Sequence, residues 1–126
     1  MIGYLDTHVV VWLANGSLER ITEAARRAIE RNDLLISPMV VLELEYLHER
    51  NRITLPARDV LLKLEHEIGL GVCGLPFAQV ANVALDEKWT RDSFDRVIVA
   101  QAKANGLAPL LSADEEIAKH YPRTVW

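Results

Sequence analysis

Four acidic residues have types and positions that suit carboxylate chemistry. One of them, Asp95, lies in the stretch 91–102, RDSFDRVIVAQA. In a helix, Asp95 would stack over the apolar residues at i+3, i+4 and i+7, which are Ile98, Val99 and Ala102. A carboxylate on an apolar face incurs a desolvation cost unless a cation or a hydrogen-bond donor meets it. The pattern therefore predicts a partner for Asp95, and the other acids considered with it are Asp6, Glu43 and Asp114.

Carboxylates that share a small rim repel one another strongly unless a cation neutralises them. Oxygen ligands select hard cations, so Mg²⁺ or Mn²⁺ is the expected cofactor. Such a site suits hydrolysis of a phosphodiester bond, because a metal ion activates a water molecule and stabilises the charge of the transition state. The sequence has no Walker A, GxGxxG, HExxH or CxxC motif, and no Ser or Cys in a recognisable nucleophile motif.

Composition limits the classes of protein that fit. With 126 residues, 50% of them hydrophobic and 25% charged, the chain is most simply a single domain over residues 1–126. No apolar run approaches the roughly 18 residues that cross a bilayer, and the N-terminal stretch lacks the basic flank of a signal peptide, so we expect a cytoplasmic protein without membrane contact. The net charge of −4 argues against bulk electrostatic binding of nucleic acid, but not against a nuclease whose acids hold metal.

Short apolar runs alternate with amphipathic segments. Strands are predicted at 2–5, 34–36, 72–76 and 110–111, with 124–126 as a last edge strand. Helices are predicted at 8–13, 21–31, from Ser37-Pro38 onward, at 56–68, at about 77–87, around Asp95 as far as Asn105-Gly106, and from a capping box at 112–115. This alternation predicts an α/β fold whose central, mostly parallel sheet of four to five short strands is covered by helices on both faces.

The predicted sheet brings the acids toward one edge. Asp6 follows the first strand and Asp114 follows the fourth, and ligands of such sheets bind at the carboxyl ends of the strands. Glu43 lies about a turn and a half into its helix, and helical side chains lean back toward the N-terminus. Asp95 is in the first turn of its own helix. We therefore expect the four acids to converge on one rim.

Most of these acids also have a purely structural explanation. Asp92 and Asp95 suit a capping pair, and Asp6 can cap the helix that follows it. Asp114 can be a first-turn acid that interacts with the helix dipole, beside a Ser112–Glu115 capping box. Glu43 is harder to explain in this way, since an acid in the middle of a helix beside apolar residues gains nothing from a cap.

Three basic residues lie near the acids in sequence. Arg91 and Arg96 bracket the stretch around Asp95, where they could hold substrate phosphates or pair with neighbouring carboxylates. His8 follows the Asp6-Thr7 turn and is expected to border the site. The other histidines lie among charged helical residues and are expected on the surface.

The tryptophans and the cysteine are expected to serve packing. Trp12, Trp89 and Trp126 are scattered along the sequence, which favours core or interface packing over base stacking. Cys73 is the only cysteine, and its apolar surroundings predict a small core residue.

Four motifs together give the chain a family resemblance. They are residues 5–8 (LDTH), the segment 37–43, residues 91–96 (RDSFDR) running into 100–102 (AQA), and residues 111–114 (LSAD). Over essentially its whole length the chain resembles the PIN-domain ribonucleases, specifically the VapC-type toxins of bacterial toxin–antitoxin pairs. The resemblance implies a PIN-like three-layer α/β/α domain. It also implies RNA as substrate, a small antitoxin whose tail blocks the site, and a homodimer, for which the apolar helices between Val40 and Ile68 are a candidate interface.

The resemblance also implies roles for the acids. Its metal-binding acids would be Asp6, Glu43, Asp95 and Asp114, with Asp92 as an auxiliary or capping residue. Within that set we expect Asp6 and Asp95 to be the principal magnesium ligands and Asp114 a further or water-mediated one. Glu43 would orient a ligand or act as the base toward the attacking water.

The chain departs from the usual family signature at two positions. Thr90 stands where His is common and Ser93 where Pro is common, so the entry into the helix can differ, but neither change removes a carboxylate.

The leading hypothesis is therefore a magnesium- or manganese-dependent endoribonuclease that acts as a toxin. One alternative is a magnesium-dependent phosphatase, which would need an acid two positions after a nucleophilic Asp6, where His8 stands instead. The other is a non-catalytic α/β interaction domain whose acids only cap helices. Stabilisation by manganese distinguishes a metal site from such a scaffold.

Overall fold

A single five-stranded sheet forms the centre of the computed structural model, which describes all 126 residues. Its strands are β1 (Ile2–Leu5), β2 (Asp33–Ile36), β3 (Gly71–Val72), β4 (Leu110–Leu111) and β5 (Thr124–Val125), in the spatial order β3-β2-β1-β4-β5. All four strand pairs are parallel, so the predicted mostly parallel sheet is confirmed and has no antiparallel member. At least one helix separates each strand from the next, as parallel pairing requires.

Seven α-helices connect the strands and complete a three-layer α/β/α architecture. They are α1 (Thr7–Asn15), α2 (Glu23–Arg31), α3 (Pro38–Glu49), α4 (Ala57–Ile68), α5 (Phe77–Ala84), α6 (Ser93–Ala104) and α7 (Glu115–His120), with a short 3₁₀ helix at Leu18–Arg20. Two predicted boundaries were wrong. The third strand is Gly71–Val72 rather than 72–76, and α5 ends at Ala84 rather than near 87.

The core lies between the sheet and the helices that cover it. Tyr4 and Leu5 of β1 are almost fully buried, as are both residues of β4, which accounts for the apolar character of these short strands. Cys73 is buried as predicted, and its sulfur accepts a hydrogen bond of 3.1 Å from the Tyr4 hydroxyl. None of the helices combines the length and the apolar character needed to cross a bilayer.

The topology singles out the carboxyl ends of β1 and β4. From β1 the chain proceeds to β2 on one side of the sheet, and it later returns to β4 on the other side, so the strand order reverses between β1 and β4. Ligands of open parallel sheets bind at such a reversal point. The register pairs Leu5 with Leu111, and the amide of Asp6 donates to the carbonyl of Leu111 at 3.0 Å. The residues that leave the two strands are therefore neighbours.

Candidate active site

Asp6 is fixed in place at the end of β1. Its side chain is only 6% exposed, and it caps α1 by accepting a hydrogen bond of 2.8 Å from the amide of Thr7. Its other oxygen, Oδ2, accepts a hydrogen bond of 2.6 Å from the Ser112 hydroxyl. Burial raises the pKa of Asp6, while the donors Ser112 and Thr7 act in the opposite direction. The carboxylate thus has a defined orientation and takes part in no ion pair.

Ser112 does not serve the capping box that the sequence predicts. Its amide still belongs to the sheet and donates to Val125 at 3.3 Å, and its hydroxyl is turned toward Asp6. The N-cap of α7 is Asp114, whose Oδ1 accepts from the amides of Glu116 and Ile117 at 2.8 and 3.2 Å. The prediction was wrong because the N-cap of the helix lies two residues later than the motif suggests, at Asp114 instead of Ser112.

Asp114 combines a structural role with a place at the site. The capping bonds use one of its oxygens and leave Oδ2 without a protein donor. Its own amide donates to the Ser112 hydroxyl at 3.1 Å, so Ser112 links Asp114 directly to Asp6. Asp114 therefore has a structural role as the N-cap of α7, rather than the predicted role of a first-turn acid, and its free oxygen is available for a second function.

Glu43 reaches back from α3 to the end of β1. Its Oε1 accepts a hydrogen bond from the hydroxyl of Thr7, the residue next to Asp6. Burial raises the pKa of Glu43, the Thr7 bond lowers it, and the charge of Asp6 raises it further. Sequence reasoning did not select Thr7 as a site residue, and the only available signal was its position directly after Asp6.

Asp92 and Asp95 have different roles at the start of α6. Asp92 is the N-cap, and its Oδ1 accepts from the amides of Phe94 and Asp95 at 2.9 and 3.1 Å. The hydroxyl of Thr90 accepts a hydrogen bond of 3.1 Å from the Asp92 amide, so the threonine in the usual histidine position supports the same turn. Asp95 does not complete the predicted capping pair, because its side chain makes no hydrogen bond within the protein.

The carboxyl of Asp95 has a strongly raised pKa. Burial, followed by the charges of the surrounding acids, raises its pKa to about 7. In decreasing order of effect these acids are Asp92, Asp6, Asp114 and Glu43. Because the charges of Asp6, Glu43 and Asp114 all raise the pKa of Asp95, these four predicted acids lie close enough to interact electrostatically. The residues beneath Asp95 on α6, namely Ile98, Val99 and Ala102, are buried as the helical spacing predicted.

No lysine or arginine side chain forms an ion pair with this group of acids. None of the ion pairs in the protein involves Asp6, Glu43, Asp92, Asp95 or Asp114. The alternative in which Arg91 and Arg96 pair with neighbouring carboxylates was wrong. Arg96 donates to the carbonyls of Ala84 and Leu85 at the end of α5, and Arg91 donates to the carbonyl of Lys88.

The donor chemistry of the site fits a hard divalent cation. The acids offer oxygen ligands, and no lysine or arginine pairs with them to relieve their mutual repulsion. As they stand, however, no three Asp, Glu, His or Cys side chains lie close enough together to hold a metal ion. The acids therefore form an open group rather than a closed coordination shell.

A depression of about 210 Å³ opens beside Asp6 and Asp114. Its lining residues are Asp6, His8, Trp12, Ala113 and Asp114. His8 is exposed and borders the site, as predicted. The three tryptophans pack partly against the core, which confirms their predicted packing, but Trp12 and Trp126 are not scattered in space, because their ring centroids are 5.6 Å apart.

This chain is similar to known proteins in both sequence and fold. The model of the PIN domain family matches residues 3–121. Ribonuclease VapC22 of Mycobacterium tuberculosis is 35% identical over 97% of this chain and 96% of its own.

Two solved structures, each under 20% identical to this chain, show the same fold. The structure of VapBC2 from Rickettsia felis, bound to a DNA fragment from its promoter, matches with a TM-score of 0.64 at 18% identity and covers 98% of this chain and 96% of that one. The structure of VapBC-1 from nontypeable Haemophilus influenzae matches with a TM-score of 0.63 at 19% identity and covers 98% and 92%.

Proposed function

The chain belongs to the PIN-domain family and is similar over its whole length to a VapC ribonuclease, and on this premise we propose that it is a metal-dependent endoribonuclease, the toxin of a toxin–antitoxin pair. One observation carries the proposal. The half-buried Asp95 lies among four other acids with no basic partner, and its pKa is raised to about 7. Structural caps alone do not require such an arrangement, whereas a cation-binding site does.

Asp6, Asp95 and Asp114 are the residues that would hold Mg²⁺ or Mn²⁺. Asp6 is held by Ser112 and the Thr7 amide, Asp114 keeps Oδ2 free, and Asp95 is free of protein hydrogen bonds. A bound divalent ion would supply an activated water molecule and stabilise negative charge on the scissile phosphate. One rigid and two less engaged ligands suit a site that must accept both an ion and a phosphate.

Glu43 would act on the attacking water or on the group that positions it. The Thr7 hydroxyl holds its Oε1 and leaves Oε2 without a donor. Burial brings the pKa of Glu43 closer to neutrality than that of an exposed glutamate, and this favours proton acceptance near neutral pH.

The structural relatives and the exposed apolar surface support proposals for the partners of this chain. The two structural relatives are toxin–antitoxin complexes, which supports a small antitoxin as the partner of this chain as well. We extend the proposal to a homodimer that uses exposed apolar residues of α3 and α4, such as Leu42 and Leu62. An RNA substrate and an antitoxin partner imply action in the cytoplasm.

The test is cleavage of an end-labelled RNA pool with Mg²⁺ or Mn²⁺, in the presence and absence of a chelator. Asp95→Asn should lose at least about a hundredfold of the activity, since it removes a proposed metal ligand. Asp59→Asn is the matched control, because Asp59 is also a first-turn acid of a twelve-residue helix but lies outside the group of acids. Its activity should equal that of the parent.

Two results would count against the proposal. Cleavage that persists with chelator, or equally in Asp95→Asn, would place the activity elsewhere. Absence of both cleavage and manganese-dependent stabilisation would favour the non-catalytic interaction domain.

A further inference from the structure

Trp12 and Trp126 lie together at the edge of the acidic site although they are distant in sequence. Their ring planes are tilted by 46° at a centroid separation of 5.6 Å. Trp12 lines the same depression as Asp6 and Asp114. Both indoles are only half-buried, so they keep exposed aromatic surface within the immediate surroundings of the acids.

Arg20 adds a positive charge to this aromatic pair. Its guanidinium carbon lies 5.5 Å from the centroid of the Trp12 ring, within cation–π range. The side chain is exposed, and it takes part in none of the ion pairs of the protein. Arg26 on the following helix is also exposed, but it pairs with Glu23 and Glu30. Arg20 is thus a cation beside Trp12 that has no carboxylate partner.

His8 extends the same surface toward the acids. Its ring centroid is 6.3 Å from that of Trp12, and His8 and Trp12 both line the depression. Planar and cationic groups therefore run from Arg20 through Trp12 to His8, next to Asp6.

This arrangement meets a need of an acidic site that acts on a polyanion. Carboxylates repel the phosphates of a nucleic acid, so the nucleotides next to the scissile bond must be held by other groups. Proteins hold unpaired bases by stacking them on aromatic rings and on guanidinium planes, with a positive charge for the adjacent phosphate.

We propose that Arg20 and Trp12, supported by Trp126 and flanked by His8, form a nucleotide-binding subsite on which an unpaired base of the RNA stacks beside the scissile position. The inference rests on the proposed function, since a base subsite has a role only if the chain acts on RNA. Packing of the two tryptophans would explain their mutual contact, but it would not explain an exposed arginine that lies over Trp12 without a carboxylate partner.

The test is equilibrium binding of a fluorescein-labelled, random-sequence single-stranded RNA of about ten nucleotides, followed by anisotropy in Mg²⁺. The parent for this experiment is Asp95→Asn, which prevents cutting. Adding Arg20→Ala or Trp12→Leu should weaken binding about tenfold. Arg58→Ala is the matched control, because it removes the same charge from an exposed helix position that has no aromatic ring beneath it, and it should change binding by no more than about twofold.

Each outcome has a distinct meaning. A loss of RNA affinity with Arg20→Ala that exceeds the loss with Arg58→Ala supports the subsite. Equal losses would show that Arg20 contributes only to the overall charge and would overturn the subsite. Unchanged binding in both subsite variants would overturn the subsite and leave the ribonuclease proposal standing if the native chain cuts RNA. No RNA binding by the parent and no cleavage by the native chain would overturn both. Arg20→Ala decides the matter even if Trp12→Leu melts too low for comparison, since Arg20 is not part of the core.

Discussion

Ser112 and Asp6 are 106 residues apart in the chain, yet the Ser112 hydroxyl donates a 2.6 Å hydrogen bond to the buried carboxylate of Asp6. The same hydroxyl accepts the amide of Asp114. A single side chain therefore joins the ends of β1 and β4 and sets the separation of two proposed metal ligands. It acts on Asp6 in the way that outer hydrogen-bond partners act on the ligands of known metal sites.

Ser112→Ala should weaken both the fold and the site. The buried Asp6 carboxylate would lose a donor, which should cost about 1.5–3 kcal/mol of unfolding free energy at neutral pH. It should also reduce manganese affinity about 10- to 100-fold through loss of ligand orientation. Chemical denaturation and manganese titration measure the two effects. Ser17→Ala is the control, because the Ser17 hydroxyl bonds only to the exposed Asn15 side chain. An equal effect of both variants would refute the special role of Ser112.

The sequence was sufficient for the fold class and for the burial beneath Asp95, because strand burial and helical periodicity are local patterns. Asp95 over Ile98 and Val99 is such a pattern, and so is the Asp92 N-cap. The partners of the acids could not be predicted in the same way. The hydrogen bond from Ser112 to Asp6 depends on the register of β1 with β4, and the bond from Thr7 to Glu43 depends on the position of α3.

The contact between Trp12 and Trp126 is another relation that no local pattern contains. It depends on β5 being added beside β4, which brings the last residue of the chain near α1. The short strand β5 was itself predicted from sequence, but a parallel sheet of five strands allows several spatial orders. The order determines which side chains meet at the rim.

The metal-free protein should lose stability as the pH rises from about 4 to about 7. The pKa of Asp95 is about 7 in the folded state and near 3.8 in the unfolded chain, so the folded state binds the proton more tightly. Its contribution is fully present below pH 4 and is lost as the pH passes through 7. Because the side chain is half-buried and partly screened by solvent, we expect a loss of about 1–2 kcal/mol.

Urea denaturation in chelator at several pH values measures this loss. The difference between the parent and Asp95→Asn measures the contribution of Asp95 together with its coupling to the surrounding acids. The variant should become relatively more stable toward pH 7 and above. If the difference in unfolding free energy stays constant from pH 4 to 8, the pKa of Asp95 is not raised in the folded state.

Manganese should raise the melting temperature of the native chain but not that of Asp95→Asn. At a free ion concentration 100 times Kd, binding adds about 2.7 kcal/mol, which for a domain of this size is on the order of 10 °C. The effect should grow from pH 5.5 to 7.5, since Asp95 must lose its proton before it can act as a ligand. Asp59→Asn should retain the full increase, and an increase retained in Asp95→Asn would place the ion elsewhere.

Glu87 and Lys103 should be tightly coupled, because Glu87 is only 2% exposed and Lys103 Nζ is the sole partner of its Oε1. The other oxygen accepts a 2.7 Å hydrogen bond from Trp89 Nε1, and Trp89 in turn stacks on His120 at 4.8 Å. This set of contacts fixes the segment between α5 and α6, which leads directly to the Asp92 cap.

Lys103→Met leaves a buried carboxylate without its cation and should destabilise the protein by about 2–4 kcal/mol, at the lower end because Lys103 is partly exposed. Adding Glu87→Gln to Lys103→Met should recover much of the loss, since an amide needs no cation and keeps an acceptor for Trp89. Additive losses in this double-mutant cycle would refute the coupling. Lys103→Arg, which preserves the charge, should remain near the parent.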